Sequence, residues 1–276
     1  MVGFADIHNH LLPGVDDGSR SMEETLRHLE RFAAEGVVEL AMTPHLARPA
    51  TWDRGGLAGR ISAIERAFES VLIACAGRDD LRLHLGQEIF APDSAHLEAI
   101  LSYDALGIGE TGFILVEFGF EPLKRPEAVI DLATSRGYRV IVAHPERYLY
   151  DSPAACVAAA RGWVEKGAFL QVNLGSLSGF YEEWTEGSGA MGWRLLDEGL
   201  AHLLASDDHG DGRSQLDQRK VMGLIRERGG IRQAEILLGE NPLRLLRGQS
   251  PQAVEPLLQD PPSSGPADPS VGGPSE

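Results

Sequence analysis

Gly3-Phe4-Ala5-Asp6-Ile7-His8-Asn9-His10 is a short apolar run that ends in two histidines one residue apart. It predicts a strand over 3–8 whose carboxyl end carries imidazoles. A helix over 22–35 follows: Met22, Leu26, Leu29, Phe32 and Ala33 fall on one helical face. Ser21 and Glu24 have the S-x-x-E spacing of a capping box at its start, and Gly36 is the expected stop at its end. The next apolar run, 38–43, closes on Thr43-Pro44-His45. Strand, helix and strand in this order describe a parallel pair joined by a crossover helix.

The same alternation runs along the chain. Strands are expected at 3–8, 38–43, 81–86, 112–118, 138–143, 169–173 and 202–205. Helices are expected at 22–35, 57–76, 94–101, 126–136, 153–166, 190–198, 213–228 and 231–238. So many parallel strands favour a barrel, or a distorted one, over a small open sheet, and in either architecture the functional site lies at the carboxyl ends of the strands.

Those ends share a chemistry. The first leads into His8 and His10, the second into His45, the third into Gln87-Glu88, and the fourth into Glu117. Later runs end in Ala143-His144-Pro145 and Ala205-Ser206-Asp207-Asp208-His209. Singly, each residue has an ordinary explanation: a helix cap, a satisfied core histidine, a buried Glu117 paired with Arg147, or a turn in the case of Val15-Asp16-Asp17-Gly18. Jointly they converge on one face if the strands are parallel. Imidazole and carboxylate without thiolate suit zinc, manganese or iron, and a set this large suggests more than one ion. His28, His84, His96 and His202 lie within expected helices or strands and are read as structural or surface residues.

The chain has 276 residues, 43 % of them hydrophobic and 24 % charged, as in an ordinary globular protein. Its formal net charge of −16 argues against a general nucleic-acid binder. No apolar run approaches the ~20 residues that cross a bilayer, and the first residues lack a basic and apolar leader. The expected location is the cytoplasm. Cys75 and Cys156 are too few for a disulfide framework, and neither begins Cys-x5-Arg, since Leu81 and Gly162 stand at that spacing. A thiol-phosphatase loop is therefore excluded. From Ser250 onward the chain has no Lys or Arg and is rich in Pro, Ser and Gly. Residues 1–249 are read as one domain and 250–276 as a disordered acidic tail.

Taken in order, His8-Asn9-His10, Val15-Asp16-Asp17-Gly18, Thr43-Pro44-His45, Gly86-Gln87-Glu88-Ile89, Val116-Glu117-Phe118, Ala143-His144-Pro145-Glu146-Arg147-Tyr148, Gln171-Val172-Asn173 and Ser206-Asp207-Asp208-His209 resemble the polymerase-and-histidinol-phosphatase (PHP) superfamily. Within it, the D-D-G loop and the H-x-E-R-Y segment are most similar to the manganese-dependent bacterial protein-tyrosine phosphatases of capsule and exopolysaccharide loci, the CpsB/YwqE type. The resemblance runs from about Met1 to Arg247. It implies a distorted TIM-like (β/α)7 barrel with three divalent metal ions, manganese being the expected metal. Carried over by motif, His8, His10, Glu88 and Asp207 would hold one ion. Glu88, Glu117 and His144 would hold a second, and Asp17, His45 and His209 a third. Arg147 and Arg213 match arginines near the substrate phosphate. A metal-bridging hydroxide would attack phosphorus in line, with Asp208 as a candidate acid.

The implied substrate is phosphotyrosine on a protein, and the implied partner the tail of a bacterial tyrosine-autokinase. A PHP phosphatase for a small phosphomonoester such as histidinol phosphate would use the same metals. A non-catalytic phosphoprotein-binding module would be marked by lost ligands, and none is missing. An amidohydrolase would want a lysine at a strand end, whereas Lys124, Lys166 and Lys220 fall in expected helices or at their starts. Phe90, Phe120, Phe180 and Tyr181 are candidates to stack on a phenol. Gly119-Phe120-Glu121-Pro122 and the loop 179–189 match no family pattern.

Overall fold

A computed structural model describes residues 3–46, 56–103, 106–213 and 218–257. Its strands are β1 (Phe4–Asp6), β2 (Val37–Met42), β3 (His45–Leu46), β4 (Arg82–Leu85), β5 (Glu88–Phe90), β6 (Phe113–Glu117), β7 (Arg139–Ala143), β8 (Phe169–Asn173) and β9 (Leu203–Ala205). The helices are α1 (Met22–Ala34), α2 (Gly56–Ala74), α3 (Ser94–Ile100), α4 (Pro126–Ser135), α5 (Pro153–Glu165), α6 (Leu174–Ser178), α7 (Ser188–Asp197), α8 (Gln218–Glu227), α9 (Ile231–Glu235) and α10 (Asn241–Leu246).

Every strand pairing is parallel. One sheet has the order β1-β2-β4 and the other β3-β5-β6-β7-β8-β9. Only Thr43-Pro44 separates β2 from β3, and only Gly86-Gln87 separates β4 from β5. Two strands are thus each broken by a kink, with their halves in different sheets. Pro44 has no N–H for a ladder, and at Gly86 a Cβ would stand 2.9 Å from Thr43 Cγ2. The edges approach where β1 and β9 run out. Asp207 N donates to the His8 carbonyl and His10 N to the Asp208 carbonyl, each at 2.8 Å, beside one isolated bridge between Asn9 and Asp208. The result is a distorted (β/α)7-type barrel whose last seam is not a full ladder. Asp6 reinforces that seam, accepting from Ser206 N and Ser206 Oγ at 2.8 Å each. Burial raises its pKa to about 7 against those bonds.

Two apolar layers result. Leu29, Phe32, Leu40, Ile64, Val116, Val142, Trp163 and Val172 belong to the layer between helices and strands. Ala5, Ile7, Ala41, Leu115, Ile141, Leu203 and Ala205 pack with Leu243, Leu245 and Leu246 of α10 in a second cluster. The second is the barrel interior, because strands from all round contribute alternate residues to it. It puts α10 at one end and leaves the carboxyl ends of the strands for polar side chains.

All seven expected strands form; β3 and β5 are additional, too short for a periodic signal. In α1, Ser21 Oγ accepts from Glu24 N at 3.2 Å, but the Glu24 carboxylate does not complete the box. It accepts from Arg20 N at 3.0 Å and from Asp211 N at 2.8 Å, tying α1 to a distant loop. The helix expected over 190–198 starts earlier, at Ser188. That expected over 213–228 is described from Gln218, with 214–217 outside the described residues. The one expected over 231–238 is α9 followed by a π-turn, Ile236–Glu240, that runs into α10.

The boundary expected at 249/250 falls too early. Val254 and Leu257 are buried, Gln252 N donates to Asn241 Oδ1 at 2.8 Å, and Leu257 N reaches the Leu196 carbonyl at 3.4 Å. Two apolar anchors in a polar run are enough to dock it. Residues 258–276 lie outside the described residues.

Candidate metal centre

The carboxyl ends of the strands gather all nine expected ligands. Parallel register places His45 of β3 opposite Glu88 of β5, and Phe90 opposite Glu117 of β6. His144 follows β7 and Asp207 follows β9, at φ of 31° and 53°. Both are left-handed conformations that a side chain opposes by roughly 1–2 kcal/mol, and both turn a ligand-type side chain into the same space. Ligand atoms lie within 4.8 Å of one another in each of four sets: His8/His10/Asp207, His8/Glu88/His144, His45/Glu88/Glu117 and His10/Asp17/His45/His209. The sets share members, so they form one contiguous cluster. The expected third group gains His10, and Glu117 is grouped with His45 and Glu88.

Glu88 is at the centre. Its Oε1 lies 2.9 Å from His144 Nε2 and 3.4 Å from His8 Nε2, and its Oε2 lies 2.5 Å from His45 Nδ1. Asp207 Oδ1 lies 3.2 Å from His10 Nε2 and 3.5 Å from His8 Nε2. Asp17 Oδ1 lies 3.3 Å from His45 Nε2 and 3.6 Å from His209 Nε2. Apart from the half-exposed Asp17, these side chains are buried.

The ring protons can be assigned by following the hydrogen bonds outward from an acceptor-only group. Asn173 Nδ2 donates to Asp207 Oδ2 at 2.8 Å. Gln171 Nε2 donates to Asn173 Oδ1 at 2.7 Å. Gln171 Oε1 must therefore accept from His8 Nδ1, at 2.8 Å. Asp16 Oδ2 accepts from His10 Nδ1 at 2.8 Å, and the Asp207 carbonyl accepts from His209 Nδ1 at 2.8 Å. His8 and His10 thus turn their Nε2 atoms toward each other, 3.3 Å apart. Two imidazole lone pairs at that distance repel unless a proton or a metal ion lies beside them. Outer groups that fix a histidine tautomer in this way are the usual surroundings of a metal ligand.

The electrostatics agree. Burial disfavours the charged form of His8, but the Glu88 and Asp207 carboxylates outweigh it and raise its pKa to about 9. His45 and then His8 hold Glu88, and His8 and then His209 hold Asp207, well below the usual carboxylate range despite their burial. His209 behaves oppositely: burial and the adjacent His10 push it down to about 3, ready to offer a lone pair at neutral pH. Negative carboxylates and inward nitrogen lone pairs packed this closely fit divalent metal ions.

The other expected site residues divide. Arg147 Nη1 donates to Asp207 Oδ2 at 2.9 Å, so its carboxylate partner is Asp207. Arg213 Nη2 donates to Asp17 Oδ2. The role of acid expected for Asp208 does not fit its placement. Its side chain is fully buried, with Oδ1 accepting from Gly210 N at 2.8 Å and lying 3.3 Å from His28 Nδ1. The left-handed Asp207 aims consecutive carboxylates to opposite sides, which a sequence run of two aspartates does not reveal. His28, read as structural, joins Asp208 to Asp211, its Nε2 lying 3.1 Å from Asp211 Oδ1. Glu24, His28 and Asp211 form a further close group, but both Glu24 oxygens already accept backbone N–H groups. Cys156 is buried in α5, and burial pushes its thiol up to about 12, so no thiolate nucleophile is available there.

Asp16, Gln171 and Asn173 had no assigned role in the sequence, and Tyr181 was a candidate to stack on a phenol rather than to bond Asp207. Tyr181 is buried and donates to Asp207 Oδ2 at 3.1 Å. The motif Gln171-Val172-Asn173 carried a partial signal, since alternate residues of β8 face the same side.

A family model described as capsular polysaccharide synthesis, CpsB/CapC, matches residues 4–247. The chain is 27 % identical over 251 residues to "Tyrosine-protein phosphatase YwqE" of Bacillus subtilis, covering 89 % of this chain and 92 % of that protein. It is 30 % identical over 209 residues to "Putative tyrosine-protein phosphatase CapC" of Staphylococcus aureus, covering 75 % and 77 %. Among solved structures it superposes on one from work on Bacillus subtilis YwqE and Streptococcus pneumoniae CpsB, described there as unique metal-dependent tyrosine phosphatases. That match has a TM-score of 0.70 at 26 % identity and covers 91 % of this chain and 99 % of the other. A phosphotriesterase homology protein from Escherichia coli, at 11 % identity and a TM-score of 0.54, shares the fold alone. With the cluster of imidazoles and carboxylates in place and nearly the whole barrel matched, the chain belongs to the CpsB/CapC family of capsular polysaccharide synthesis.

Proposed function

We propose that this protein is a metal-dependent phosphomonoesterase that hydrolyses phosphotyrosine on proteins. Its site would hold three divalent ions, manganese in the cell, on His8, His10, Asp17, His45, Glu88, Glu117, His144, Asp207 and His209. The observation that carries the reading is Glu88, a buried carboxylate with three imidazole nitrogens within 3.4 Å, set in a cluster that Arg147 borders. Bound divalent ions would activate water near neutral pH and neutralise charge on phosphoryl oxygens.

The chain's own residues supply the rest. Arg147 is anchored through Nη1, while its buried Nε–H has no protein acceptor among the described residues. A guanidinium fixed on one side and unpartnered on another suits a phosphoryl oxygen. Arg213 sits at the outer side of Asp17, with Asp16, Gly18, Arg20 and His209 lining the same cleft. It can contact a phosphate that enters there. Asp208 is turned away, and a phenol, with a pKa of ~10, needs less protonation on leaving than an alkoxide. That favours an aryl ester over a serine phosphate or histidinol phosphate. The partner we propose is the phosphorylated tail of a tyrosine-autokinase, encountered in the cytoplasm. No helix among the described residues is long and apolar enough to cross a membrane.

The test is the initial rate on phosphotyrosine, phosphoserine and phosphothreonine peptides and on histidinol phosphate, using chelated enzyme refilled with manganese and a His8→Ala control. The expected result is a preference for phosphotyrosine that requires both metal and His8. Dominant turnover of histidinol phosphate would keep the metal site and remove the protein substrate. Failure to turn over any ester despite bound metal would remove the catalytic reading.

A further inference from the structure

The two segments that no family pattern explained, 119–122 and 179–189, meet across Arg147. Gly119 follows β6 at φ 88°, and a Cβ there would stand 2.8 Å from the Phe90 ring. The chain therefore leaves the strand by a turn that only glycine makes without strain. That turn lays Phe120 back over the site. Its ring stacks on His144 with centroids 5.9 Å apart and planes at 15°, and Arg147 Cζ lies 5.0 Å from its centroid. From the other segment, the Tyr181 ring lies 4.1 Å from the same Cζ. The guanidinium is held between two rings, yet the rings differ. Tyr181 is buried and bonded to Asp207, whereas Phe120 keeps 39 % of its surface exposed.

We propose that Phe120 is the wall against which the aromatic ring of an aryl phosphate monoester lies, and so the residue that makes this site prefer aryl over alkyl esters. The proposal deepens the phosphomonoesterase reading and rests on it for the position of the phosphoryl group. The pose that follows puts the phosphoryl group beside the cluster and the buried, unpartnered Nε–H of Arg147, with its ester oxygen toward the exposed side of Phe120. A ring attached to that oxygen then comes within the 4.5–7 Å at which offset stacking operates, and Arg147 adds cation–π attraction at the same edge. A short alkyl group at that oxygen gains neither.

Direct binding tests this without turnover. Phenylphosphonate and ethylphosphonate, whose carbon–phosphorus bonds resist hydrolysis, are titrated calorimetrically into the manganese-loaded full chain, its Phe120→Ala variant and its Phe120→Trp variant. Metal content and melting temperature are measured alongside. The expected result is a loss of about tenfold for phenylphosphonate in Phe120→Ala, with ethylphosphonate affinity and metal content unchanged and Phe120→Trp close to the parent. Equal weakening of both phosphonates, or no weakening of either, overturns the wall while leaving catalysis intact, and so does parent protein that does not bind phenylphosphonate. Parent protein that binds phenylphosphonate selectively but turns over no phosphate ester leaves the wall standing and removes the catalytic reading.

Discussion

β9 begins beside one buried histidine and runs out toward another. At its amino end, His202 Nδ1 accepts from Leu170 N at 3.3 Å, and its ring meets Phe169 edge-on at 5.2 Å. Beyond its carboxyl end, His209 Nδ1 donates to a backbone carbonyl, and its Nε2 faces Asp17. Burial lowers the pKa of both, to about 4 and about 3. Depth and pKa therefore do not separate a structural histidine from a candidate ligand. Their company does: His202 sits among backbone and an aromatic edge, while His209 joins His10, His45 and Asp17. The amino end of the barrel, plugged by α10, serves stability and the carboxyl end serves chemistry.

The largest expected effect is at the carboxyl end. Glu88→Ala removes the carboxylate common to three imidazoles, and should lower phosphatase activity by more than about a thousandfold with loss of bound metal, several kcal/mol of charge stabilisation being at stake. Metal analysis and rates check it, and full activity with a full metal complement would break the contrast between the two ends.

The next effect belongs to the amino end and is read in stability. The unfolded chain binds a proton at His202 below its ordinary pKa of 6.5, while the folded chain resists until about 4. Stability from this group is therefore present above 6.5 and lost as pH falls toward 4, by about 3 kcal/mol at ~1.36 kcal/mol per unit. His202→Gln should flatten that part of the urea-denaturation profile and leave metal content unchanged. An unaltered profile would refute the assignment.

The smallest effect sharpens the border of the site. Gln171→Leu frees the His8 tautomer without touching the ligand set, and should weaken metal binding by about 10–100-fold. Competition with a chelator of known affinity measures it. An effect below about twofold would mean that Gln171 does not orient His8.

Much of this was legible because strand direction and strand ends are local patterns. Once the strands are parallel, His8, His45, Glu88, Glu117, His144 and Asp207 must emerge on one side, and all do. What escaped was orientation. Nothing in Asp207-Asp208 says that a left-handed residue sends the first carboxylate inward and the second toward His28. Glu24 has capping-box spacing yet reaches across to Asp211 N. Val254 and Leu257 dock a segment whose composition reads as tail.

The sequence by itself determined the parallel α/β architecture, the face on which ligand side chains emerge and the exclusion of a thiolate mechanism, because periodicity and spacing act within a few residues. Only the tertiary structure decided which carboxylates face the cluster, which ring nitrogens are free for a metal and which aromatic ring stays exposed beside Arg147. Those outcomes depend on hydrogen bonds and packing between residues far apart in the chain, such as His8 with Gln171 and Tyr181 with Asp207.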